Sequence, residues 1–264
     1  SVAGQIFAEA MARTVRAELR CCSAAVLAGM DDFCLRASEV GLKVVFAAKN
    51  GSEVEENDVI AVVEGTPLAI AVAEDNLLGL VAKASGVATA ARKAVDSVAG
   101  QLEVVCGAWK KMPPAVREPL KRAASIGGVK VRISDRPFVY LDKNYVKILG
   151  GIKEALRAAS ALADRIKVVQ IRNSKELATE AAEALEGNAD IIFVDTGRIE
   201  DARVVLNMLK NMNARDKVKI AFGGNVSISH ARRLVKEGLD ILEIGREILD
   251  APLLDLRFDV TDVR

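Results

Sequence analysis

Lys167-Val-Val-Gln-Ile171, Asp190-Ile-Ile-Phe-Val-Asp195, Lys217-Val-Lys-Ile-Ala-Phe222 and Asp240-Ile-Leu-Glu-Ile244 are short apolar runs whose centres recur about every 22 to 28 residues. Between them, Ser174 to Ala184, Arg198 to Leu209 and Ser227 to Lys236 place apolar residues at the 3 and 4 spacing of one helical face. Each run is strand length, and each is followed by an amphipathic helix. Such βα alternation predicts a parallel sheet, because the helix carries the chain back to the starting end of the sheet. Outward from this stretch, Ile152 to Ala163 reads as a further helix, and Leu102 to Cys106, Val129 to Ile133 and Phe138 to Leu141 as earlier strands. Six or seven strands in roughly 160 residues suit a slightly incomplete α/β barrel, a pattern shared by an open doubly wound sheet.

Upstream the texture is mixed. Ile6 to Val15 reads as a short helix, and Val15 to Leu19 and Ala24 to Leu27 flank a turn. Lys43 to Ala48 reads as a strand closed by the hairpin dipeptide Asn50-Gly51, with two more strands over Asp58 to Gly65 and Pro67 to Ala73. Together these predict a small antiparallel sheet, followed by one long amphipathic helix over Asn76 to Val98. The expected fold class is therefore α/β: an N-terminal sheet domain with its long helix over 1–101, then an incomplete barrel over 102–264.

Composition narrows the function classes. The 264 residues are 51% hydrophobic and 28% charged, the balance of a globular chain with a large core. Lys+Arg 37 against Asp+Glu 36 leaves a formal charge of +1, so any anion site is local, and neither nucleic acid nor a membrane surface is an expected partner. Aromatics at 4% do not furnish a stacking platform for single-stranded nucleic acid. Cys21, Cys22, Cys34 and Cys106 match no zinc or redox spacing, and with His230 the only histidine a His-rich metal site is impossible. The cysteines read as buried free thiols. No apolar run approaches the ~18 residues of a membrane span. Ser1 to Arg20 interleaves Glu9, Arg13, Arg16 and Glu18 with apolar residues, unlike a signal peptide, and the expectation is a cytoplasmic protein.

In α/β barrels the C-terminal strand ends form the active face. Here they read Lys110-Lys111, Arg132, Asp142-Lys143, Gln170 to Arg172, Asp195-Thr196, Gly223-Gly224-Asn225 and Gly245-Arg246-Glu247, a cationic set with one prominent carboxylate. The two glycine loops follow the last two strands and precede helical turns. Missing Cβ atoms let backbone N–H groups close on a phosphate, although tight βα turns need glycine equally. Asp195 could hold Mg²⁺ or ribose hydroxyls, or cap the next helix. Lys143 could meet a phosphate or carboxylate, form a Schiff base, or pair with Asp142. Lys110 and Lys111 are placed for a dianion, whereas Lys121 and Arg122 read as a solvated helix face. His230 falls on a solvent-facing helix.

In their order along the chain, these pieces resemble the quinolinate phosphoribosyltransferase family. The resemblance is carried by Ala24 to Gly29, Ala73-Glu-Asp-Asn-Leu-Leu78, Ala84-Ser-Gly-Val-Ala-Thr-Ala90, Lys110-Lys111 before Pro114-Ala-Val-Arg117, Ile126-Gly-Gly128, Lys143, Gly150-Gly-Ile152, Asp195, Gly223-Gly224, and Ala251-Pro252 with Asp255 and Asp259. It implies a small α/β domain before an incomplete barrel. It further implies Mg²⁺-dependent transfer of phosphoribosyl from phosphoribosyl pyrophosphate to the ring nitrogen of quinolinate, with release of pyrophosphate and CO₂, in a homodimer or larger homo-oligomer. Lys143 and Asp195 would be the catalytic residues, with Asp195 at the metal. Lys110, Lys111, Arg132, Gln170 and Trp109 would face the acceptor, and Gly223, Gly224, Asn225, Gly245 and Arg246 the phosphates.

Departures from the family pattern concentrate on the diacid half of the site. Asp75 stands where the family has arginine, a negative charge where a quinolinate carboxylate would be met. Trp109-Lys-Lys-Met-Pro-Pro114 keeps two charges but loses the guanidinium fork, and brings an indole that could stack on an aromatic acceptor. Arg132 and Ile133 fall where histidine and arginine are usual, and Gln170 replaces an acidic residue. These changes point to an acceptor less anionic than quinolinate. Two other classes fit the residues: a non-catalytic phosphosugar-binding barrel, and a Schiff-base lyase using Lys143.

Overall fold

A computed structural model describes residues 2–264; Ser1, where the expected first domain begins, lies outside the described residues. In chain order the elements open with Val2–Ile6 (α1), Val15–Cys21 (β1), Ala25–Val26 (β2), Met30–Glu39 (α2), Lys43–Ala47 (β3), Glu53–Val54 (β4), Val59–Gly65 (β5) and Pro67–Val98 (α3). Glu103–Val105 (β6), Pro114–Ile126 (α4), Phe138–Leu141 (β7), Lys143–Leu149 (α5), Ile152–Ala159 (α6), Ile166–Ile171 (β8) and Leu177–Glu186 (α7) follow. Ile191–Asp195 (β9), Ile199–Asn211 (α8), Lys219–Gly223 (β10), Ile228–Leu234 (α9), Ile241–Glu243 (β11), Arg246–Leu249 (α10) and Leu256–Val263 (β12) complete the chain. Two compact units emerge: 1–93 with 110–128 and 248–264, and 94–109 with 129–247.

The first unit holds a four-stranded antiparallel sheet in the order β12-β1-β5-β3. β1 explains why: Val15, Ala17, Leu19 and Cys21 are buried while Arg16, Glu18 and Arg20 alternate outward, the two-residue period of a strand with one face on a core. That core gathers Leu19, Leu27, Met30, Phe33 and Ile60 against Ile70, Leu77 and Val81 of α3. The C-terminal segment is tied to α3 by the Lys83 ammonium, which donates to the carbonyls of Leu249 at 2.8 Å and Ala251 at 2.9 Å.

Three expectations are corrected in this unit. Pro67 to Ala73 is the start of α3 rather than a strand. Ala69, Ile70, Ala73 and Leu77 are buried, continuing backward the helical period seen after Asn76, and Thr66 caps the helix by accepting the Ala69 N–H at 3.2 Å, with Pro67 following it. Asn50-Gly51 does not close a hairpin: β3 pairs with β5, and β4 with β2. Its groups bind the Leu27–Met30 segment instead, since the Gly51 N–H donates to the Leu27 carbonyl at 2.7 Å and Asn50 Oδ1 accepts the Met30 N–H at 3.0 Å. Before β1, Val2–Ile6 and a short turn over Ala8–Ala10 stand in place of one helix reaching Val15.

The second unit is the parallel sheet, in the order β6-β11-β10-β9-β8-β7. Its last strand, β11, pairs with its first, β6, so the sheet curls on itself as a barrel does. The barrel is incomplete on one side. Val129 to Ile133 contributes only an isolated parallel bridge, Lys130 to Val105, rather than the expected strand. The Val131 carbonyl is taken by the Trp109 indole N–H at 3.1 Å, and Pro137, without an N–H, stands just before β7.

Candidate active site

Alternation along the barrel strands decides what faces inward. Val105, Val168, Ile191, Phe193, Ala221 and Ile241 form one interior cluster, with Phe138, Tyr140 and Ile166 packed against it. Two residues beyond Val168, Phe193, Ala221 and Ile241 come Gln170, Asp195, Gly223 and Glu243. Period 2 therefore brings these four, from consecutive neighbours β8, β9, β10 and β11, to the C-terminal end of the barrel interior.

Asp195 is held from two sides. Gln170 Nε2 donates to its Oδ2, and Arg172 Nε lies 3.5 Å from the same oxygen while donating to the Asp195 carbonyl at 3.1 Å. Gln170 Oε1 accepts the Lys143 backbone N–H at 2.9 Å, so one amide links the start of α5 to the carboxylate. With 19% of its side chain exposed, Asp195 remains reachable. Glu243 Oε1 accepts the Gly107 N–H at 3.3 Å. Tyr140, its ring 6.2 Å from Phe193, has its phenol pushed far up by burial and by the charges of Asp195, Glu243 and Asp142. It is a neutral hydroxyl among carboxylates. Burial first, then Glu243, pushes the Cys106 thiol up to about 12, which makes it an inert wall rather than a nucleophile.

The glycine loops meet one another closely. Gly224 has φ +102°, and a Cβ there would lie 2.4 Å from the Gly197 nitrogen, whose N–H donates to the Gly223 carbonyl at 2.8 Å. Asn225 is also left-handed, at φ +71°. A Cβ at Gly223 would meet the Phe193 ring at 2.8 Å, and one at Gly245 would meet Glu243 Oε1 at 2.6 Å. Packing alone thus demands these glycines. The helix after Gly223-Gly224 does not offer the vacant N-terminus expected from sequence, because Glu247 Oε2 accepts the Ile228 N–H at 2.7 Å. Asn225 and Arg246 are exposed.

Other expected residues are distributed as follows. Lys143 opens α5, exposed, beside Asp142, whose carboxylate caps that helix by accepting the Asn144 and Tyr145 N–H groups at 2.9 and 3.2 Å. The apolar burial that activates a Schiff-base lysine is missing there. Arg132 is exposed with its guanidinium 5.2 Å from the Phe138 ring centroid. Trp109 is corrected from a stacking platform to a packing residue: it is 8% exposed and its N–H is bound to Val131. Lys110 and Lys111 are exposed residues of the first unit, as is Asp75 on α3. Sequence reasoning passed over Glu243 and Tyr140 and left Arg172 without a role. The available signal for Glu243 was an acidic residue inside the apolar run Ile241 to Ile244.

Among the described residues no group of three or more His, Cys, Asp or Glu side chains could cage a metal. Mg²⁺ normally takes one or two carboxylates and completes its shell with substrate phosphates and water. Asp195 supplies one carboxylate of that kind.

The family model for the quinolinate phosphoribosyl transferase C-terminal domain matches residues 87–259, and that for the N-terminal domain matches residues 5–85. A probable carboxylating nicotinate-nucleotide pyrophosphorylase of Methanothermobacter thermautotrophicus is 24% identical over 243 residues, 90% of this chain and 86% of that protein. The human carboxylating nicotinate-nucleotide pyrophosphorylase is 27% identical over 236 residues, 88% and 78% of the two chains. The nicotinate-nucleotide pyrophosphorylase structure from Pyrococcus furiosus superposes with a TM-score of 0.83 at 22% identity, covering 98% of this chain and 72% of that one. The Francisella tularensis structure does so with a TM-score of 0.80 at 22% identity, covering 94% and 86%. Among the described residues, no helix is long and apolar enough to cross a membrane.

Proposed function

The chain belongs to the quinolinate phosphoribosyl transferase family, and from that premise we propose that it transfers phosphoribosyl from phosphoribosyl pyrophosphate to the ring nitrogen of an aromatic acid. The ring nitrogen's lone pair forms the bond to C1 of the ribose as the C1–oxygen bond to pyrophosphate breaks with its electron pair. Pyrophosphate leaves; a ring acid bearing a carboxylate beside the nitrogen can then lose CO₂, the pair of the broken C–C bond staying on the ring carbon and taking a proton from water.

The single observation that carries this reading is Asp195 at the C-terminal end of the barrel, oriented by Gln170 and Arg172. Positive charge develops on the sugar as the leaving group departs, and a pre-oriented carboxylate stabilises it without reorganising. Mg²⁺ bound with the donor would meet Asp195 and neutralise pyrophosphate charge. Gly224-Asn225 and Gly245-Arg246 supply backbone and guanidinium donors for phosphate, and Arg132 an exposed cation for an acceptor carboxylate. Tyr140 contributes a hydroxyl that stays protonated.

The acceptor is a ring acid with fewer carboxylates than quinolinate. Arg172 is already engaged by Asp195, and Glu243 adds negative charge at this end. We take the working form to be a cytoplasmic homodimer or larger homo-oligomer. Pyrophosphate release is measured from phosphoribosyl pyrophosphate and Mg²⁺ with nicotinate and with quinolinate. A higher kcat/KM for nicotinate, lost by about 100-fold in Asp195→Asn, is expected. Preference for quinolinate would overturn the acceptor assignment, and no release with any ring acid would overturn the transferase reading.

A further inference from the structure

Phe138 and Tyr140 leave β7 on its interior side, and Tyr140 lies opposite Val168 in the β7–β8 register, one interior position below Gln170. The rings of Phe138, Tyr140 and Phe193 therefore lie beneath the layer of Gln170 and Asp195. Phe193 is 7% exposed and sits under Gly223, where an added Cβ would lie 2.8 Å from its ring. Phe138 carries the Arg132 guanidinium over its face, 5.2 Å from the centroid. Tyr140 meets Phe193 at 6.2 Å with the planes tilted by 59°, a contact that lays no parallel ring on its face. It is half-buried, and among the described residues no group hydrogen-bonds its hydroxyl. Its polar neighbours are already held: Gln170 by the Lys143 N–H and Asp195, and Asp195 by Arg172.

We propose that Tyr140 selects the acceptor: its ring packs on the ring of the aromatic acid, and its hydroxyl donates to that acid's carboxylate. This rests on the acceptor class of the reading above. The stacking role expected of Trp109 passes to Tyr140, because Trp109 is buried with its N–H bound to Val131. Arg132 lies over Phe138, and Tyr140 follows two residues later on the same interior side of β7. A carboxylate drawn to that guanidinium is thus brought toward the phenol, on the side of the sheet where β10, β9 and β8 stand between it and Glu243 of β11. Burial first, then the charges of Asp195, Glu243 and Asp142, keeps the phenol protonated, so it donates without adding charge. A phenol has one hydrogen to give, which suits an acid with a single carboxylate at this place. Binding through the carboxylate leaves the ring nitrogen's lone pair for C1 of the ribose.

Tyr140→Phe keeps the ring and removes the donor, whereas Tyr140→Leu removes both. Nicotinate and ribose 5-phosphate are titrated calorimetrically into the full chain and into each variant. Nicotinate is expected to bind about tenfold more weakly to Tyr140→Phe and more weakly again to Tyr140→Leu, with ribose 5-phosphate within twofold throughout. In pyrophosphate-release kinetics, Tyr140→Phe is expected to raise KM for nicotinate with kcat and the KM for phosphoribosyl pyrophosphate unchanged, the pattern of lost ground-state binding. A purely packing role would lower kcat or weaken both ligands. Equal nicotinate binding in Tyr140→Phe overturns the proposal, as does equal weakening of both probes. Where the unaltered chain releases no pyrophosphate but Tyr140→Phe still weakens nicotinate alone, the transferase reading falls and the acceptor site stands. Normal release with nicotinate unaffected by the variant overturns this proposal alone. A full chain that binds neither nicotinate nor quinolinate, with or without ribose 5-phosphate, overturns both.

Discussion

At the scale of single residues, the barrel end is a set of charges and hydroxyls held by one another. Gln170 makes the point. In sequence it is a lost acid, but in the fold its amide joins the Lys143 backbone to the Asp195 carboxylate, which an acidic residue could do only by placing two like charges in contact. Cys106 offers a test of the same environment. Its folded-state value near 12 lies above its ordinary 9.0, so its contribution to stability is complete below pH 9.0, where folded and unfolded thiols both keep their proton. It is lost as pH rises toward about 12, because the unfolded thiol ionises first. Urea unfolding of the unaltered chain and of Cys106→Ala, compared at pH 8 and at about pH 10.5, is expected to show a smaller alkaline loss in the variant. An equal loss would place the thiol in a more polar setting than the one described.

At the scale of elements, local signals were legible where one period ran long enough. The helices after β8 read correctly because their faces are buried on one side and wet on the other. Pro67 to Ala73 did not, since seven apolar residues satisfy a buried strand and a buried helix alike. The deciding information was Thr66 before Pro67, a cap followed by the residue best suited to a first helical position. Thr66→Ala should accordingly cost about 1 kcal/mol. Chemical denaturation would show it as a lower midpoint with an unchanged slope, and Thr66→Ser should recover most of the loss.

At the scale of the whole chain, the last residues belong with the first. β12 pairs antiparallel with β1 from Cys21 opposite Leu256 to Val15 opposite Val263, interrupted by a bulge near Arg16. A chain ending after Asp255 would leave that edge of β1 unpaired, presenting free N–H and C=O groups to other molecules. Thermal unfolding of such a truncated chain is expected at least ~5 °C lower, with light scattering that grows with protein concentration. Retention of both melting temperature and solubility would show that β12 is dispensable to the sheet.

The candidate site was legible in part for the same physical reasons. Asp195 and Gly223-Gly224 are visible in sequence because they end strands whose apolar runs mark their own limits. Glu243 sits inside its run, and only the inward direction of Ile241 assigns its side a meaning. Trp109 was legible as an aromatic residue but not as a buried one whose indole N–H is bound to the Val131 carbonyl, 22 residues away.

By itself, then, the sequence determined the alternation of strands and helices, the βα order that makes the large sheet parallel, and the family, since these depend on neighbours within a few residues or on the order of short motifs. The tertiary structure decided which strand closes on which, which loop ends are already occupied by the chain's own carboxylates, and which side chains share the barrel interior. Those outcomes depend on contacts between residues far apart in the chain, such as β11 against β6 and Glu247 against Ile228, and no local period encodes them.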